Sequence, residues 1–170
     1  MRRLINATRF ILLAALAAGT MLLAPSAASA DTAEADLHHV DPGSGRISSR
    51  PIGYLRFSAG KDDKGVDILI QIRNLPNVQS EQPLTTTGGH AVYEHGLRIR
   101  ATGDCKDMTP TDSQAGVLPD IGILQDGNAT VSVTAEGITL SELPGKSVVM
   151  YRGNNDAKRQ ILACGVIKKD

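Results

Sequence analysis

Val66, Ile68, Ile70 and Ile72 recur at strict two-residue spacing, with Asp67, Gln71 and Arg73 on the opposite parity. A helix would scatter such a set around its axis. An extended chain puts it on one face, so this stretch is a half-buried strand. The same alternation runs through Gly53-Tyr54-Leu55-Arg56-Phe57. It returns over Val92 to Ala101, with Leu97 and Ile99 on one face and Arg98 and Arg100 on the other. Ile121 to Leu124, the turn Asp126-Gly127 and Ala129 to Thr134 predict a hairpin. Ser147 to Arg152 and Ile161 to Lys168 supply two further strands. Seven or eight short strands and no helical periodicity predict an all-β fold, a sandwich or flattened barrel. With no Trp, two Phe and three Tyr, its core must rest on Val, Ile and Leu.

The first thirty residues follow a different logic. Arg2, Arg3 and Arg9 precede the apolar run Phe10 to Leu23, and Ala28-Ser29-Ala30 supplies small residues for cleavage before Asp31. This is the pattern of a bacterial signal peptide over 1–30, which implies a periplasmic or secreted protein with no stable membrane insertion after cleavage. Losing those three arginines from 18 basic residues, against 18 acidic ones, leaves a net charge of −3. That balance gives no reason to expect nucleic acid as a partner. Residues 31–50 are polar, contain Pro42-Gly43-Ser44-Gly45, and are expected to be a mobile lead-in to a β domain over 51–170. Asn77 to Gly89 is a polar insert without clear period.

The chain has two cysteines, Cys105 and Cys164. An even count in an exported protein predicts one intrachain disulfide. Closing a loop of about 60 residues stabilises by roughly 4 kcal/mol in the chain-entropy view.

Two segments carry a resemblance. One is His95-Gly96-Leu97-Arg98-Ile99-Arg100 with Gly103-Asp104-Cys105; the other is Leu162-Ala163-Cys164-Gly165-Val166-Ile167. They resemble His-Gly-Phe-His-x-His, Gly-Asp-Cys and Leu-Ala-Cys-Gly-Val-Ile of the copper/zinc superoxide dismutase family. Gly145 to Tyr151 resembles that family's Gly-Arg-x-x-Val-Val-His strand. The resemblance spans about Pro51 to Ile167. It implies a Greek-key β-sandwich or flattened barrel, with His95, Gly96, Gly103, Asp104 and Gly165 in structural positions.

The chemistry of that family does not carry over. Its copper-ligand positions fall on Arg98, Arg100 and Tyr151. A guanidinium stays protonated and has only donors, so it cannot give a lone pair to a metal. The family's zinc histidines lie after Gly-Asp-Cys, and no histidine follows His95 here. The loops corresponding to its zinc-binding and substrate-guiding excursions shorten to Lys106 to about Leu118 and Gly153 to Gln160. The substrate-guiding arginine's place is taken by Ile161, with Arg159 nearby. The resemblance therefore implies the fold without copper and zinc, and no dismutation by the family's mechanism. Motifs of other enzyme classes, such as a nucleophile elbow, a phosphate loop or a zinc-protease helix, do not occur.

The expected role is a non-catalytic binding or structural module. Arg98 and Arg100 share a strand face, and the resemblance implies that Tyr151 lies across from them. Together they could hold a small anion or contact a protein partner. The plainer arrangement, expected first, is a solvated or salt-bridged outer sheet face, with Glu94, Asp104 or Asp156 as partners. A rival role is a residual copper- or zinc-binding protein using His38, His39, His90 and His95, with superoxide dismutase activity as the family name would imply.

Overall fold

The computed structural model describes residues 31–61, 65–78, 83, 85–106, 114–153 and 160–170. Residues 1–30, which the sequence predicts to be a signal peptide, lie outside these residues, as do Asp156 and Arg159.

The described residues form eleven strands and one short 3-10 turn at Leu140–Glu142. In chain order the strands are β1 Thr32–Val40, β2 Ile47–Ala59, β3 Val66–Ile72, β4 Thr85–Thr87 and β5 His90–Arg100. They continue as β6 Gln114–Val117, β7 Ile121–Leu124, β8 Ala129–Ala135, β9 Ser147–Arg152, β10 Ile161–Val166 and β11 Lys168–Lys169. Hydrogen-bonded neighbours run β4-β5-β9-β10-β1-β2-β3-β8, with β6 and β7 on β5 and β11 on β1. Every ladder between strands is antiparallel. The consecutive strands β1, β2 and β3 form a meander, and the late strand β10 returns to lie beside β1. The sheet curls into a nearly closed, flattened barrel.

Period two decides which side chains fill it. On β3 the burial alternates perfectly, with Val66, Ile68, Ile70 and Ile72 at most 1% exposed. Leu55 and Phe57 of β2, Leu97 and Ile99 of β5, Ile121 and Ile123 of β7, and Val148 and Met150 of β9 join them in one core. Each fully buried aliphatic or aromatic side chain contributes about 1.5–3 kcal/mol of transfer free energy.

Residues 31–50 are not a mobile lead-in. Thr32–Val40 is strand β1, paired with β2 on one side and with β10 and β11 on the other. Ala33, Ala35 and Leu37 are buried in the core. The alternation is present in the sequence, but two of its inward residues are alanines, so little hydrophobicity marks it. Ala33 pairs with Phe57 and Ala35 with Leu55, and the large β2 side chains supply volume that the alanines lack. The Pro-Gly-Ser-Gly stretch is the turn at the tip of the β1–β2 hairpin. There Asp41 Oδ1 accepts from the Ser44 N–H and hydroxyl, both at 2.7 Å.

The expected β7–β8 hairpin also changes. Both strands and the Asp126-Gly127 turn are present, but β7 pairs with β5 and β8 with β3. The turn is held by the Leu124 N–H to Asn128 O at 3.0 Å, the Gly127 N–H to Leu124 O at 2.8 Å and the Asn128 N–H to Asp126 Oδ1 at 3.0 Å. The connection is an arch between the two ends of the sheet, which is where the barrel nearly closes. The polar insert contributes β4, paired with the start of β5.

Candidate functional site on the outer face of β5 and β9

β5 is buried on both faces from His95 to Arg100. Its inward residues Leu97 and Ile99 belong to the main core, so Arg98 and Arg100 point the other way. The register sets Gly96 opposite Tyr151, Arg98 opposite Val149 and Arg100 opposite Ser147. Tyr151 is thus diagonal to Arg98 on the same face.

This face is not solvated. Arg98 is 9% exposed, Arg100 2% and Tyr151 9%. Beside them Val40, Val149, Tyr151 and Cys164 form a second, outer hydrophobic cluster, with Cys105 and Ile161 packed against it. The cause is the segment after β5, which turns back over the sheet and is fixed at three points. The Ser147 hydroxyl donates to Thr102 O at 2.7 Å. Gly103 lies so close to Gly145 that a Cβ there would come within 1.9 Å of the Gly145 carbonyl oxygen. Finally, Cys105 is bonded to Cys164, with Cα atoms 5.8 Å apart. Gly165, beside Cys164, has the same kind of constraint, since a Cβ would come within 2.3 Å of Asp36 O. Glycine at 103 and 165 therefore lets two backbones touch. Asp104 of this segment is exposed.

His95 is fully buried on the inner side of β5, and its Nδ1 donates to Tyr93 O at 3.2 Å. Burial lowers its pKa from the ordinary value, the Tyr93 carbonyl raises it, and the nearby Arg152 charge lowers it further. The other histidines lie elsewhere. His38 and His39 are adjacent on β1, opposite Cys164 and Ala163 of β10. His38 Nδ1 donates to Ser48 O at 2.9 Å, and the His39 backbone N–H donates to Ser48 Oγ at 3.1 Å. The His39 pKa is lowered by burial and raised by Asp41. His90 is exposed at the start of β5. Among the described residues, no three His, Cys, Asp or Glu side chains gather into a group able to hold a metal ion.

The outer cluster was not foreseen from the sequence. Val149 and Tyr151 share the parity of neither Val148 nor Met150, and an apolar pair on the second face of a strand was its only trace. No protein-family model matches the chain, and no curated protein matches it. No helix among the described residues is long and apolar enough to cross a membrane.

Proposed function

We propose that this chain is an exported protein of the superoxide dismutase-like type that has lost copper and zinc chemistry and works by binding, with Arg98, Arg100 and Tyr151 as its contact to a small anion. The observation that carries this reading is the shared face of those three residues, which offers donors and a phenol where metal binding needs lone pairs. Their burial supports a small anion over a protein surface. A protein partner needs exposed atoms, whereas an anion needs only converging donors reached through a narrow path. The glycine-tight, disulfide-tied segment from Thr102 to Cys105 supplies the rigidity such a site requires. The rival reading, a copper or zinc protein, would have to draw ligands from three separate places, because β1, the start of β5 and the barrel interior each hold some of the histidines.

The test is calorimetric titration of the folded protein with inorganic phosphate and with sulfate, repeated on Arg98→Gln and Arg100→Gln. Saturable binding that weakens about tenfold or more in either variant supports the reading. Equal binding by wild type and both variants, or none by the wild type, overturns it.

A further inference from the structure

The disulfide has an open side. A groove of about 420 Å³ runs along the outer face of β1, and both Cys105 and Cys164 line it, together with Asp36, His38 and Lys168. The two sulfurs are not equally placed. Cys164 is 0% exposed in the middle of β10, whereas Cys105 lies on the partly exposed segment that follows β5. A nucleophile entering by the groove therefore meets the Cys105 sulfur first.

We infer that the Cys105–Cys164 bond is a thiol-exchange site, entered through this groove by a low-molecular-weight thiol. The groove's size and its mixed walls, with carboxylates of Glu34 and Asp36 beside the ammonium of Lys168, suit a small thiol and not the active-site loop of a protein oxidoreductase. The step balances. The incoming thiolate attacks Cys105 Sγ and forms a mixed disulfide there. The Cys105–Cys164 bond breaks, and Cys164 leaves as a thiolate that takes up a proton from water. A second thiol then attacks the mixed disulfide, releasing the oxidised thiol dimer and Cys105 as a free thiol.

The consequence is local. The disulfide is one of three ties holding the Thr102–Cys105 segment over the outer face, and the Ser147–Thr102 hydrogen bond and the Gly103–Gly145 contact remain when it opens. Exchange therefore proceeds without unfolding the barrel and frees the Cys105 end of the segment first. This inference goes beyond the proposed anion site and does not depend on it.

The experiment exposes the native, oxidised protein to 2-mercaptoethanol across a range of urea concentrations below the unfolding transition. Adducts are quenched with acid and located by peptide mass mapping. The expected result is a mixed disulfide on Cys105, formed at a rate proportional to thiol and unchanged by urea. That rate should exceed the rate through the unfolded population by about tenfold or more. A rate that climbs with urea in step with the unfolded fraction would show that only the unfolded chain reacts, and overturns the inference. An adduct found on Cys164 overturns it as well.

Discussion

Gly103 and Gly145 touch backbone to backbone, close enough that a methyl group on Gly103 would lie 1.9 Å from the Gly145 carbonyl oxygen. The segment after β5 can cross the outer face of β9 only because this side chain is missing. Gly103→Ala should therefore destabilise the fold by about 1–3 kcal/mol, as overpacking does in a site that cannot yield. Gly137 is the matched comparison, with φ of +72° and nothing within 4 Å of a built Cβ. Gly137→Ala pays only the left-handed strain, about 1 kcal/mol. Urea unfolding of the two variants checks the ranking.

The Cys105–Cys164 bond closes a separation of 59 residues. Replacing both cysteines by serine should lower stability by about 4 kcal/mol, most of it through a less constrained unfolded chain. Equilibrium unfolding of the double variant beside the oxidised protein measures this directly. A loss far below that figure would mean that the unfolded chain stays compact without the bond, so that closing the loop removes little of its entropy.

β1 belongs to the barrel, so a chain beginning at Pro51 should not fold. It would lose the central ladder partner of β2 and β10 and the core residues Ala33, Ala35 and Leu37. In the intact protein, Leu37→Ala should cost about 2–5 kcal/mol, since Leu37 is 0% exposed in the main core. Circular dichroism of the shortened chain and urea unfolding of the point variant test the two statements.

His95 makes stability depend on pH. Its folded pKa is lowered, chiefly by burial, so the unfolded chain binds a proton more readily. Above about pH 6.5 both states are neutral at this residue and its contribution is complete; below that value protons favour the unfolded state and stability falls. His39, also lowered by burial, adds in the same direction. His95→Gln should flatten the fall between about pH 6.5 and pH 5, as read from urea midpoints across that range.

Where the sequence was legible, a strand face was marked by large aliphatic residues. β3 and β5 follow directly from the alternation of Ile, Val and Leu, and the register then places Arg98, Arg100 and Tyr151 together. β1 was hidden because alanine is weakly hydrophobic, and its partners' bulk, not its own, fills the core. The burial of the two arginines was hidden for another reason. It is caused by a segment that returns over the sheet, and a strand's own alternation carries no record of what later covers it. The β7–β8 arch was hidden likewise, since a tight turn between two strands fits both a ladder and a corner.

The central claim is that this barrel binds without metal chemistry, and the most direct test is metal content together with activity. The oxidised, folded protein, reloaded with copper and zinc, should retain no stoichiometric metal by mass spectrometry after dialysis and should show no dismutation of superoxide above the buffer rate. Stoichiometric copper accompanied by rapid dismutation would contradict the account, because a set of residues other than Arg98, Arg100 and Tyr151 would then hold a working metal.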